Sequence, residues 1–232
     1  MTFYRRNLPH WHPENQPIFL TWRLYDSLPT SLLKQARTAK SVCATKIPPG
    51  RRFQILDAAL DKASTGPLWL RDPIIATQII QTLRKGESTL HQYSLHSFVV
   101  MPNHVHILIS PKIPLSRITN GIKGVTSRSA KSILALQQKH FWQDESFDHW
   151  VRSPEQFDTI RAYIENNPVK AGLAAHPEDW PWSSVAQTLV AVQPPTPHYP
   201  AANSHIDDHA CCPTSHFCVW ALITQSGLIV PL

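Results

Sequence analysis

The most regular apolar pattern in the chain, Phe98 to Ile109, reads Phe-Val-Val-Met-Pro-Asn-His-Val-His-Ile-Leu-Ile and describes two strands meeting at a tight connection. Leu90 to Val100 and His104 to Ser110 are the strands, and Met101-Pro102-Asn103 is short enough for an antiparallel hairpin. Pro17 to Tyr25, rich in β-branched and aromatic residues, supplies an earlier strand. Elsewhere the apolar period lengthens to that of helices. Thr30 to Lys46, Arg51 to Ala63 (Phe53, Leu56 and Leu60 in one stripe) and Asp72 to Leu83 are predicted helices that cover the sheet rather than carry chemistry. The last of these opens on an Asp cap with Pro73 in the first turn. A helix from Leu115 to Gln138 follows the hairpin, weakened early by Gly121 and Gly124. The final helix begins at Pro154, with Ser153 as N-cap, Gln156 completing a capping box, and Phe157, Ile160 and Ile164 as its buried stripe. Pro168 disfavours helical geometry at Asn167, so that amide falls at the helix end, one turn beyond Tyr163.

Side chains alternate across a strand, so His104 and His106 share a face while Val105, Ile107 and Ile109 take the other. Two imidazoles leave a divalent cation short of ligands, and Asn167 can add a carbonyl oxygen. Imidazole and oxygen without thiolate favour Mg²⁺ or Mn²⁺ in a catalytic site over structural zinc. A phenol with a reference pKa of about 10 is a poor nucleophile at neutral pH, and such a cation would activate Tyr163 against a phosphate. The set is a plausible phosphoryl-transfer site.

Composition narrows the substrate. A chain of 232 residues with 42% hydrophobic and 16% charged residues builds one good core, expected as a catalytic domain over 1–185 with a Pro-containing linker and tail over 186–232. No phosphate-loop or dinucleotide fingerprint occurs, which argues against ATP and NAD. Net charge is +6, and no acidic residue lies between Glu87 and Asp144. That interval holds Lys112, Arg117, Lys123, Arg128, Lys131 and Lys139 beside both histidines, which favours a nucleic acid substrate. No secretory signal or long apolar run is evident, so the expectation is a soluble, cytoplasmic protein without a membrane partner. His205, His209, Cys211, Cys212, His216 and Cys218 crowd the tail, but their spacing matches no standard zinc module.

The string from Val99 to Leu108, followed by Ile122-Lys123-Gly124, Phe141-Trp142-Gln143, Asp148-His149, Tyr163 to Leu173 and Trp180-Pro181-Trp182-Ser183-Ser184, resembles the single-tyrosine HUH transposases. Within them it is similar to the branch associated with repetitive extragenic palindromes, the REP-associated tyrosine transposases, which Leu8-Pro9-His10-Trp11 and Thr21-Trp22-Arg23-Leu24 also fit. The resemblance covers about residues 5 to 185. It implies an α+β fold, an antiparallel β-sheet flanked by helices in a ferredoxin-like sandwich. It also implies that His104, His106 and Asn167 hold the metal and that Tyr163 attacks single-stranded DNA next to a hairpin. The products would be a 5′-phosphotyrosine link and a free 3′-hydroxyl, ready for rejoining. Lys112, Arg117, Lys123, Arg128, Lys131 and Arg152 are the expected DNA contacts, and Trp142 and Trp150 have stacking or core packing open to them. His149 is a candidate acceptor of the phenol proton, with a phosphate contact or an exposed loop residue as the plainer role. The branch tends to be monomeric, whereas some relatives dimerise. A different class of protein remains in play, a sequence-specific DNA-hairpin binder without turnover.

Overall fold

The computed structural model describes residues 2–5, 9–12, 16–33 and 49–192. Strands β1 (Thr2–Arg5) and β2 (Pro9–His12) form a separate antiparallel pair. The main sheet contains β3 (Ile18–Arg23), β4 (Tyr93–Val100), β5 (His104–Pro111) and β6 (Phe147–Trp150) in the order β4-β5-β3-β6. All its neighbours are antiparallel, with Thr21 opposite His106 and Val99 opposite His106 on the other side. The helices are α1 (Pro49–Asp61), α2 (Pro73–Ser88), α3 (Leu115–Ile133), α4 (Pro154–Glu165), the short α5 (Asn167–Lys170) and α6 (Ser184–Val192). The architecture is α+β, as expected.

Both sheet faces are covered, which is why Phe98 to Ile109 reads as a continuous apolar run. On one face Ile18, Leu20, Trp22, Val105, Ile107 and Ile109 pack under α2 and α3. On the other, Phe19, Val99, Leu108 and Ile164 form a second core joined by Phe53 of α1 and Phe157, Ile160 and Tyr163 of α4. The outer edge of β4 is sealed by the Trp-Pro-Trp segment: Val100 N donates to the Trp182 carbonyl at 2.9 Å, and Trp180 Nε1 donates to the Val100 carbonyl at 3.0 Å.

Several boundaries move for local reasons. The Asp72 carboxylate accepts from the amides of Ile74 and Ile75, and α2 then runs on to Ser88. Gly121 and Gly124 sit inside α3 without ending it, whereas Ala135, with φ +50°, follows its C-terminus. Ser153 Oγ caps α4 by accepting from Gln156 N at 3.2 Å, but Gln156 Oε1 accepts from the amide of Arg152 rather than of Ser153, one residue from the expected capping box. Of the predicted helix from Thr30 to Lys46, residues 30–33 are helical and the rest lies outside the described residues. Helix α6 carries the described chain past residue 185, and the remaining tail, with its His and Cys residues, also lies outside them. Among the described residues no helix is long and apolar enough to cross a membrane.

Candidate metal centre and nucleophile

Strand alternation delivers the histidine pair as the sequence predicts. His104 and His106 are fully buried on the α4 face, with their Nε2 atoms 3.0 Å apart. Each ring is held from behind. Asn103 Nδ2 donates to the Leu60 carbonyl at 3.0 Å, which turns its Oδ1 towards His104 Nδ1 at 2.7 Å. An amide oxygen only accepts, so His104 carries its proton on Nδ1 and presents the Nε2 lone pair forwards. His106 Nδ1 lies 2.7 Å from Thr21 Oγ1, across the β3–β5 register, a hydrogen bond that fixes the ring with Nε2 forwards and in which the hydroxyl is able to accept.

Helix α1, expected only to cover the sheet, also brings acids to the histidine pair. Asp57, 1% exposed, places Oδ1 at 3.3 Å from His106 Nε2 and 3.9 Å from His104 Nε2. Asp57, His104 and His106 together form a buried group whose ligand atoms lie within 4.8 Å of one another. Ligands sharing one ion at about 2.1 Å sit roughly 3.0–3.5 Å apart; the His104–His106 and His106–Asp57 separations fall in that range, and the His104–Asp57 separation of 3.9 Å would have to close slightly around a divalent cation. Asn167 is fully buried, and its Oδ1 lacks a hydrogen-bond partner, an orphaned state that a cation on that oxygen would relieve. The residues present therefore fit the implied metal. The signal for Asp57 was legible: it lies four residues beyond Phe53 and three before Leu60, an acid inside the apolar face of its own helix.

Tyr163 projects from α4 into the same space. Its ring centroid lies 5.8 Å from that of His106 and 6.1 Å from that of Phe19, and its hydroxyl donates to Asp57 Oδ2. Lys170, on α5, reaches the same carboxylate: Nζ is 3.6 Å from Asp57 Oδ2 and 2.8 Å from Asp61 Oδ2. Burial pushes the Tyr163 phenol well above the ordinary tyrosine range, and the Asp57 charge pushes it further. Burial would also raise Asp57, but His106 first, then His104 and the Tyr163 hydroxyl outweigh it and hold the carboxyl far below the usual range. His104, desolvated and beside His106, falls to about 3 and is neutral at physiological pH. His149 is engaged with Gln156 Nε2 at 3.0 Å; the group that accepts the phenol proton's hydrogen bond is Asp57.

The basic interval goes elsewhere. Helix α3, with Arg117, Lys123, Arg128 and Lys131, packs on the opposite face of the sheet from the histidines, so its charge does not surround this site. Lys123 Nζ donates to the Gln143 carbonyl at 2.7 Å and to the Asp144 carbonyl and Ser146 Oγ at 3.0 Å each. Lys131 Nζ donates to the Lys139 carbonyl. Arg117, Arg128 and Lys112 are exposed, and Arg152 lies 5.7 Å over the Trp150 ring. Trp142 is a core residue, donating from Nε1 to Thr126 Oγ1 at 2.9 Å.

Residues 70–167 match the family described as IS200-like transposases. That segment is similar to the family over somewhat less than half of the chain. The IS200-like match encloses His104, His106, Tyr163 and Asn167, whereas Asp57, Asp61 and Lys170 lie outside it. Over 96 residues the chain is 26% identical to a REP-associated tyrosine transposase of Escherichia coli (strain K12), covering 40% of this chain and 54% of that protein. The chain thus spans about half the length of that curated relative. Among solved structures it is similar to a REP-associated tyrosine transposase bound to a REP hairpin, with 18% identity, 84% of this chain and 89% of that chain covered, and a TM-score of 0.47. A second, a putative transposase from Deinococcus radiodurans R1, is 17% identical over 70% of this chain and 98% of its own, with a TM-score of 0.36.

Proposed function

We propose that this chain is a metal-dependent DNA transposase that cuts and rejoins single-stranded DNA beside palindromic hairpins through a 5′-phosphotyrosine intermediate. The observation that carries the reading is the convergence of His104, His106, Asp57 and Tyr163 on one buried sheet face in a chain similar to IS200-like transposases over residues 70–167. His104, His106 and Asp57, with Asn167, would hold Mg²⁺ or Mn²⁺, which when bound supplies a Lewis acid for the scissile phosphate and the leaving oxygen. Asn103 and Thr21 keep both imidazoles turned towards that position. The hydroxyl of Tyr163 attacks phosphorus and the strand's 3′-oxygen leaves. Asp57 Oδ2, to which the hydroxyl already donates, is placed to take the phenol proton. Because the phosphoester is exchanged rather than hydrolysed, rejoining needs no nucleotide cofactor.

The basic residues Lys112, Arg117, Arg128, Lys131 and Arg152 are offered as DNA contacts, with the exposed Arg117 and Arg128 on α3 suited to phosphates remote from the cut, whereas Lys123 is given to the 143–146 loop. The test is a denaturing gel of the protein with labelled single-stranded DNA from palindromes flanking its gene, with Mg²⁺ or Mn²⁺. A protein–DNA adduct lost in Tyr163→Phe and His106→Ala supports the reading. Hairpin binding without an adduct under either metal overturns it in favour of a binding protein, and cleavage persisting in Tyr163→Phe points to a hydrolytic phosphoesterase.

A further inference from the structure

We propose that Lys170 is the phosphate-gripping cation of the nucleophile site, held in reserve by Asp61 and Asp57 until a divalent ion occupies the histidine pair. The inference rests on the reading above and assigns a role to a residue outside the family match. Four observations converge on it. Lys170 Nζ forms a close ion pair with Asp61 Oδ2 at 2.8 Å and a longer one with Asp57 Oδ2 at 3.6 Å. The Tyr163 hydroxyl donates to that same Asp57 Oδ2, so the nucleophile and the ammonium share one acceptor. Nζ also lies 5.2 Å from the centroid of the Tyr163 ring, within cation–π range. The Lys170 side chain is 47% exposed while Asp57 and Asp61 are 0% and 8% exposed, so the ammonium sits on the solvent side of the buried acids, where an incoming strand arrives.

Charge counting explains why such a lysine belongs there. Asp57, Asp61 and Lys170 sum to −1, which attracts a divalent ion and repels a phosphodiester. A divalent ion brings the sum to +1, which a phosphodiester of charge −1 then neutralises. Metal on Asp57 also weakens that carboxylate's hold on Lys170, since one negative group now serves two cations. The ammonium is then free to turn from Asp57 to a phosphate oxygen beside Tyr163, reaching it on a flexible stem with a strongly hydrated point charge. In the metal-free state the same ammonium balances the acids. The site thereby orders its two partners, metal first and DNA second.

The experiment uses the full chain and compares the unaltered protein with Lys170→Ala and Lys170→Arg. Mn²⁺ affinity is measured by electron paramagnetic resonance, and binding of oligothymidine is measured against salt with Mn²⁺ or with EDTA. Adduct formation is followed in parallel. Lys170→Ala is expected to bind Mn²⁺ at least as tightly as the unaltered protein, because a competing cation is gone. In Mn²⁺ it should lose about 0.7 from the slope of log affinity against log salt, the share of one phosphate contact on a single strand, and keep the slope in EDTA. Its adduct formation should slow about tenfold or more, with Lys170→Arg recovering most of the salt slope and the rate, since arginine keeps the charge. A fall in Mn²⁺ affinity in Lys170→Ala would overturn the proposal by making the lysine a prop for the carboxylates. An unchanged salt slope in Mn²⁺ would overturn it by removing the residue from the phosphate. Absence of an adduct in the unaltered protein would count against the transposase reading alone, because Mn²⁺ affinity and the salt slopes still decide the role of Lys170.

Discussion

Replacing Asn103 by Ala tests whether the hairpin turn of the Pro-Asn-His-Val-His stretch sets the metal site. Asn103 is fully buried and makes two hydrogen bonds, one accepted from His104 Nδ1 at 2.7 Å and one donated to the Leu60 carbonyl at 3.0 Å. Truncation strands a buried N–H and a buried carbonyl, each costing about 1–3 kcal/mol, so a loss of roughly 2–6 kcal/mol is expected. Freed of its acceptor, the His104 ring can place its proton on Nε2 and turn its lone pair away from Asp57 and His106. Mn²⁺ affinity should fall about 10- to 100-fold, the usual consequence of losing a group that orients a ligand. Asn103→Asp separates the two effects: its carboxylate still accepts from His104 Nδ1–H but cannot donate to Leu60, so metal binding should outlast stability. Urea unfolding of the metal-free proteins and Mn²⁺ titration of the folded ones supply both quantities. Folded Asn103→Ala binding Mn²⁺ within about twofold of the unaltered protein would refute the orienting role.

Acid should destabilise the metal-free protein in a window set by His104. Its folded pKa of about 3 lies below the ordinary 6.5, so between those values the unfolded chain binds a proton that the folded chain refuses. Stability therefore declines as pH falls through that window, by up to about 1.4 kcal/mol per pH unit from this residue, and thermal melts of His104→Gln should show a shallower decline. Lys123→Ala should lower stability by about 1–2 kcal/mol through its lost bonds to the 143–146 loop, and should leave the salt dependence of hairpin binding unchanged. A flattened salt slope would return Lys123 to the DNA interface.

The parts of the site that follow from local pattern were legible. Alternation along β5 places His104 and His106 together, and the Ser153 cap with the Phe157, Ile160 and Ile164 stripe orients α4 so that Tyr163 meets them. Long-range placement was not legible. Nothing in the period of α1 says which sheet face it covers, so Asp57 and Asp61 were read as part of a covering helix until packing brought them to the histidines. The same limit misled the reading of charge. Lysines and arginines close to His104 in sequence lie on α3, and the β5–α3 connection carries that helix to the far side of the sheet. Lys170 hid for a different reason: its role is visible only beside two acids more than a hundred residues earlier in the chain.

The central claim is that Tyr163 becomes covalently joined to DNA, and peptide mapping by mass spectrometry tests it most directly. The protein is incubated with Mn²⁺ and hairpin-bearing single-stranded DNA, digested with protease and nuclease, and searched for a nucleotide-modified peptide. The account predicts a single modified peptide containing Tyr163, linked through a 5′-phosphate, with a matching DNA fragment ending in a free 3′-hydroxyl. Cleaved DNA with an unmodified Tyr163 peptide, or a nucleotide carried on another side chain, would contradict it.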